Sequence, residues 1–264
     1  MADHWNVPAH DYDPNGEYGS RLPRCPNPMA GKELQWVDAD HIHAGHHSTD
    51  TAADAAAAFL RGVNTDQPFF QYVSFLAPHD PRTMPQRFLD MYDPAEIELP
   101  PNFLPVHPFD NGELAIRDEK LAGFPRAEAE VRQHIADYCA MISHIDEAVG
   151  RILAALDERG LTDNTIVVFA GDNGLSVGQH GLMGKQSLYD HSVRVPLIFA
   201  GPGIAAGEAR DSLCYLHDVM PTLCDLLGVE TPASVRSRSL ADDLRGDLRG
   251  APDDLFLAYR HLMR

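Results

Sequence analysis

A layered α/β domain is the fold class this sequence predicts, and three observations carry the prediction. Two short apolar runs, TIVVFA at 165–170 and VPLIFA at 195–200, have the length and composition of buried strands. A third run, PFFQYVSFL at 68–76, is aromatic and β-branched and reads as a central strand. Between them, Val131, Ile135, Tyr138, Ile142, Ile145, Val149, Ile152 and Leu156 recur at alternating steps of four and three, stacking on one face of a long helix. Strands interleaved with helices make a layered α/β arrangement the simplest way to bury all of these faces.

The elements follow in chain order. Residues 1–48 are rich in Pro, Gly, Asp and His and read as loops on the substrate side. A helix is expected over about 49–61, with Ser48 or Thr49 as N-cap, Asp50 and Asp54 in its opening turn and Gly62 past its end. The strand 68–76 halts at Ala77-Pro78-His79. Residues 80–125 carry many prolines and no sustained period, and so long an irregular stretch is usually a functional excursion. Glu128 and Glu130 lie near the start of the long helix, Arg151 and Arg159 near its end, and Gly160 can terminate it. Asp218 can cap a short helix to Leu227 that Gly228 closes, after which charged, Gly-containing turns continue to residue 264. The expected organisation is one catalytic-type domain over 1–264, with a core over 49–230 and the start of a C-terminal region over 231–264.

Composition narrows the partners. Lys and Arg total 21 against 39 Asp and Glu, for a formal net charge of −18 among 264 residues. That balance argues against nucleic acid or an anionic membrane as partner, because both require a basic footprint. Any anion site must therefore be built locally, from a metal or a few cations. No apolar run of roughly 18 residues exists to span a bilayer. The start, MADHWNVPAHDYDP, lacks a charged-then-apolar leader pattern, so the sequence leaves a cytoplasmic or a periplasmic location open. Four scattered cysteines form neither a disulfide framework nor a zinc spacing.

The chemistry concentrates after the strand 165–170. Asp172 and Asn173 place two oxygen ligands side by side at its end, where open α/β sheets hold their sites, and this pair suits a hard cation. Asn173-Gly174 alone would be a turn, but its place at the end of an apolar strand favours a ligand role. Lys185, in the Gly-rich loop that follows, can hold an anionic oxygen. His79 leaves a neighbouring strand and can bind an anion or protonate a leaving group. His180 is either a second anion contact or a brace of its loop. Asp40, His41, His43, His46 and His47 offer transition-metal ligands in no common zinc spacing. Cys25 has no activating neighbour and reads as a loop cysteine.

Asp172-Asn173-Gly174 after an apolar strand, then Gly178-Gln179-His180-Gly181, Gly184-Lys185, Tyr189 and Arg194-Val195-Pro196, resembles the second half of a sulfatase catalytic domain. Pro68-Phe69-Phe70 leading to Ala77-Pro78-His79, and Leu216-His217-Asp218 to Pro221-Thr222-Leu223, agree with the same pattern over about residues 49–230. The resemblance implies an alkaline phosphatase-like α/β/α sandwich on a mostly parallel central sheet. It implies hydrolysis of a small-molecule or carbohydrate sulfate ester, with Ca²⁺ or Mg²⁺ neutralising the sulfate oxygens and a formylglycine hydrate attacking the sulfur. By position, Asp172 and Asn173 would be metal ligands, His79 would contact the sulfate or protonate the leaving oxygen, and Lys185 would bind a sulfate oxygen.

The sequence also departs from that pattern. Cys25 is followed by Pro26, Asn27 and Pro28 rather than by the family's nucleophile motif, C-x-P-S-R or C-x-A-x-R. The family's paired N-terminal aspartates, and the Lys and His after its nucleophile, have no counterpart. The expectation is therefore a sulfatase piece cut at both ends and inactive alone. The rival readings are a phosphate or phosphonate monoester hydrolase of the same superfamily and a non-catalytic fragment. Two-zinc phosphoesterases carry His after the strand-end Asp, where this chain has Asn173.

Overall fold

The computed structural model describes the backbone of residues 18–24 and 35–37, and residues 47–80, 82–110, 112–246 and 254–259. Its contacts divide the chain into two compact units, one of residues 1–160 and 175–185, the other of 161–174 and 186–263. In the first unit, β1 (Tyr18–Arg24) pairs antiparallel with β2 (Gln35–Val37) and with β3 (Arg82–Pro85), in the order β2-β1-β3. These strands lie where loops are expected, in 1–48 and in the Pro-rich stretch after 80. Pro85 ends β3 and leads directly into α2 (Gln86–Leu89), so the proline sits at a strand end, where a missing amide costs no ladder bond.

The helix α1 (Ser48–Gly62) buries Ala53, Ala56, Ala57 and Leu60, spaced three and four apart, against the long helix α3 (Glu128–Glu158). Its cap is His47 rather than Ser48 or Thr49, because the His47 Nδ1 accepts the Thr49 amide hydrogen at 3.2 Å. The 68–76 segment runs extended but forms no ladder among the described residues. Its side chains reach α1: Phe69 meets Phe59 edge-on at 5.9 Å, and the Gln71 side chain donates to the Ala56 carbonyl. The alternate face, Phe70 and Tyr72, is 78% and 82% exposed.

The long helix matches its predicted span, and Val131, Ile145 and Leu156 of its predicted face are buried, but polar residues share the inner face. His134, Asp137, Met141, His144 and Ala148 are buried, whereas Ile142 is exposed and Ile135, Tyr138, Val149 and Ile152 are half-buried. Polar partners explain their burial. The fully buried Arg82 donates to the His134 Nδ1 and carbonyl. His144 Nε2 lies 3.2 Å from both Asp50 oxygens, and Arg151 donates to Asp50 at 2.5 Å. Met84, Phe88, Ala140 and Met141 form the apolar cluster beside this belt. Burial, with Arg82 and Arg126 nearby, holds His134 well below the usual histidine range, so it stays neutral.

In the second unit, β4 (Val167–Ala170) pairs antiparallel with β5 (Leu197–Ala200). Neither strand is fully buried, contrary to the apolar sequence: Phe169 is 39% exposed and Ile198 56%. The remaining helices are α4 (Asp190–Val193), α5 (Val219–Leu227) and α6 (Ala241–Arg245). Asp218 precedes α5 as expected, but its carboxylate accepts the Tyr215 and Arg238 amides instead of capping the helix, which Gly228 closes at φ +66°. No described helix is long and apolar enough to cross a membrane.

Burial in the first turn of α3 pushes the Glu130 carboxyl up to about 7, with Arg126 and the Ala127 backbone opposing. A raised folded-state value means the native chain keeps a proton that the unfolded chain releases, so this contribution is full below pH 4.5 and lost as pH rises through 7. Urea denaturation of Glu130→Gln should therefore show a gain in stability over the parent that grows between pH 5 and pH 8. A constant difference would show that Glu130 titrates normally.

Candidate active site

Lys185 closes a tight turn over residues 175–185 in the first unit. Ser176 donates its amide (2.9 Å) and its hydroxyl (2.5 Å) to the Gly184 carbonyl, and the Gly178 amide donates to the Leu182 carbonyl at 2.7 Å. Four residues of the turn have left-handed backbone: Val177 (φ 42°), Gly178 (96°), His180 (54°) and Gly181 (76°). For a β-branched residue such as Val177 this is a rare conformation, costing on the order of 1–3 kcal/mol, and such strain persists only where the surroundings impose it. Val177 and Met183 are buried together with Leu121, Ala122 and Val131, which anchors the turn in the core.

Charged groups hold the other limb. Glu119 lies in a 3₁₀ helix, Asp118–Leu121, and its carboxylate accepts the Met183 amide at 2.9 Å and the Gly184 amide at 2.8 Å. The same carboxylate is paired with the fully buried Arg126. Arg126 also donates to the carbonyls of Gly181 (3.1 Å), Glu119 (3.0 Å) and Ala122 (2.5 Å). Burial raises the Glu119 carboxyl above its usual range, against the pull of Arg126 and the two amides. His180 is tied from outside the turn. Its amide donates to the Asn102 carbonyl, its Nε2 lies 3.0 Å from the Asn102 amide nitrogen, and its carbonyl accepts from His107 Nδ1 at 2.7 Å.

His79 is half-buried at the end of the 68–76 segment. Its Nδ1 lies 2.9 Å from the Asp80 carbonyl, which can only accept, so Nδ1 carries the hydrogen and Nε2 presents a lone pair. That lone pair faces Arg117 Nη2 at 3.4 Å. Arg117 immediately precedes the 3₁₀ helix that carries Glu119, and its Nε donates to Asp118 at 2.6 Å. One short segment, Arg117-Asp118-Glu119, thus touches His79 at one end and the backbone before Lys185 at the other.

Asp172 and Asn173 belong to the second unit, just past β4. The Gly171 amide extends the β4–β5 pairing by bonding the Pro196 carbonyl at 3.1 Å. One Asp172 oxygen accepts the Asn173 amide at 2.8 Å. Gly174 then passes against α4, donating to the Ser192 carbonyl at 3.0 Å. A Cβ there would fall 1.9 Å from the His191 carbonyl oxygen, so only glycine fits. The donors here are all oxygen, a carboxylate beside an amide, which fits Ca²⁺ or Mg²⁺ in kind but supplies only part of the roughly six to eight donors that Ca²⁺ takes.

A second group, His47, Asp50 and His144, brings ligand atoms within 4.8 Å of one another. Those atoms already have protein partners. His47 Nδ1 caps α1, its Nε2 lies 2.9 Å from the Thr83 carbonyl, and Asp50 is bonded by His144 and Arg151. Burial alone would raise Asp50, but His144, Arg151 and His47 together hold its carboxyl below the usual range. The cluster joins α1, α3 and β3 as a hydrogen-bonded brace. Of the histidine-rich group predicted near residue 40, only His47 is among the described residues; Asp40, His41, His43, His46 and Cys25 lie outside them.

On an α/β scaffold, the first unit carries a lysine after a turn with left-handed residues and a histidine after an apolar segment, and the second carries a strand-end oxygen pair. The comparisons give the family. The sulfatase family model matches residues 1–229, and the chain belongs to that family. It is 32% identical over 216 residues to the multifunctional alkaline phosphatase superfamily protein PehA of Trinickia caryophylli, covering 76% of this chain and 41% of that protein. It is 33% identical over 200 residues to an arylsulfatase of Clostridium perfringens, covering 74% and 41%. Among solved structures it resembles the phosphonate monoester hydrolase SpPMH of Silicibacter pomeroyi, with a TM-score of 0.64 and 28% identity over 83% of this chain and 46% of that one. The chain thus spans about two-fifths of the length of these two curated relatives. The likeness also supports the alkaline phosphatase-like α/β fold, of which the described residues hold part of the sheet.

Nothing in the sequence marks Arg117, Glu119 and Arg126. They sit in or beside the Pro-rich stretch, where no periodicity marks a charged residue as buried. The turn itself gives a sharp test. Gly112→Ala meets only a left-handed backbone in open space (φ 86°) and should cost about 1–2 kcal/mol. Gly181→Ala adds a Cβ 2.6 Å from the His107 backbone nitrogen and should cost at least about 3 kcal/mol in chemical denaturation. Equal costs would mean the turn is not held as described.

Proposed function

We propose that this chain carries the sulfate-gripping part of a sulfatase-type hydrolase that cleaves sulfate esters. One observation supports the reading above the others: the backbone leading to Lys185 and the ring of His79 are both held by the segment 117–119. Two groups expected to meet a tetrahedral anion are thereby set from a single short element, as a preorganised site requires. The Lys185 ammonium offsets charge on a sulfate oxygen. His79 contacts the sulfate or passes a proton to the leaving oxygen; that proton must sit on Nε2, the atom now facing Arg117. His180 is assigned a second contact with the anion, from the same turn that leads to Lys185.

Asp172 and Asn173 are assigned as two ligands of a divalent cation, Ca²⁺ first and Mg²⁺ second, on the strength of their oxygen-only donors. Such an ion supplies Lewis-acid neutralisation of the sulfate oxygens. The formylglycine nucleophile of the family is assigned to no residue of this chain. The substrate class is a small-molecule or carbohydrate sulfate ester. The solved phosphonate monoester hydrolase keeps a second reading in view, since a phosphonate presents similar oxygens to the same groups.

The test is turnover by the full-length protein of 4-nitrophenyl sulfate against 4-nitrophenyl phosphate and a phenylphosphonate ester. The sulfate should be the faster substrate, Lys185→Ala should lower its kcat/KM by about a hundredfold, and chelation with EGTA should abolish it. Faster phosphonate hydrolysis would transfer the site to the second reading, and wild-type rates in Lys185→Ala would remove the proposed anion contact.

A further inference from the structure

We infer that Glu119 is a positioning residue for Lys185, acting through the backbone rather than by touching substrate. The inference rests on the proposed role of Lys185. Glu119 is buried, with a side chain 5% exposed, and among the described residues its carboxylate bonds groups that hold the turn: the amides of Met183 and Gly184 and the guanidinium of Arg126. The two amides belong to the residues immediately before Lys185, so the carboxylate sets where that side chain starts. Arg126 fixes the Gly181 carbonyl, so one ion pair grips both ends of the segment 181–184. A carboxylate can accept from both amides and the guanidinium together, whereas a carboxamide offers one oxygen and no charge. An aspartate keeps the charge for Arg126 but stops one methylene short of the amides. These two variants therefore separate the ion pair from the grip on the backbone.

The chain has three lysines, Lys32, Lys120 and Lys185, so ¹³C labelling at the lysine ε-carbon gives a sparse spectrum in which Lys185→Ala assigns its own signal. Inorganic sulfate is titrated into the full chain, with Ca²⁺ present, for the parent, Glu119→Gln, Glu119→Asp and Leu156→Ala. The last is a control that loosens the buried face of α3 at Leu156. The Lys185 signal should move or broaden in both Glu119 variants, and its sulfate affinity should fall about tenfold, the size of loss seen when a supporting group behind a ligand is removed. Leu156→Ala should keep both at parental values well below its melting temperature. An unchanged Lys185 signal in the Glu119 variants, or an equal loss in Leu156→Ala, would overturn the inference. If Glu119→Gln fails to fold, Glu119→Asp decides on the same readout. If the parent shows no sulfate response, the sulfate reading falls, and the Lys185 signal alone still decides whether Glu119 positions it.

Discussion

The buried pair of Glu119 and Arg126 is the constraint on which the turn before Lys185 depends. Desolvating two charges is expensive, and a buried pair is seldom a net source of stability compared with apolar residues of the same volume. What the pair provides here is geometry. Its atoms satisfy two amides and three carbonyls of a backbone that would otherwise leave polar groups stranded in the core. Breaking the pair would leave an uncompensated charge and release a turn that contains a left-handed valine. The strain at Val177 and the ion pair are therefore two sides of one arrangement: the first requires outside support, and the second supplies it.

The same logic recurs in the helix pair. Arg82 with His134, and Asp50 with His144 and Arg151, put polar groups on the inner face of α3 where its aliphatic residues were expected. These contacts tie α1 and α3 to β3, the strand that begins three residues after His79. A histidine that remains neutral under burial and an aspartate held ionised by three neighbours are both committed to structure. That commitment is why the His47, Asp50 and His144 cluster reads as a brace, although its spacing would admit a metal.

Much of this was legible in the sequence, and the failures have physical causes. Helices with strong periodicity and clear ends, such as α1, α3 and α5, were placed to within a few residues. The face of α3 is legible only in part: Val131, Ile145 and Leu156 are buried as their spacing predicts, but periodicity records only apolar side chains and cannot see that His134 and His144 have buried partners. The strands β1 to β3 were missed for a related reason: proline and polar content masked short ladders whose partners lie far along the chain. The 68–76 run has the composition and alternation of a strand, yet among the described residues it has no ladder partner, and no local pattern encodes a lateral neighbour. At the site, residue types and order pointed to Asp172, Asn173, His79 and Lys185. Arg117, which faces His79, and Glu119 and Arg126, which hold the backbone before Lys185, carry no signature, because a supporting charge is recognisable only from what it touches.

The account turns on whether the Glu119 carboxylate holds the backbone ahead of Lys185. Amide hydrogen exchange of the full chain, read residue by residue by NMR, tests this most directly. The account predicts that the Met183 and Gly184 amides exchange among the slowest outside the helices, while those of Gly203 and Gly207, in an open turn region, exchange rapidly. Equally rapid exchange at all four would contradict it.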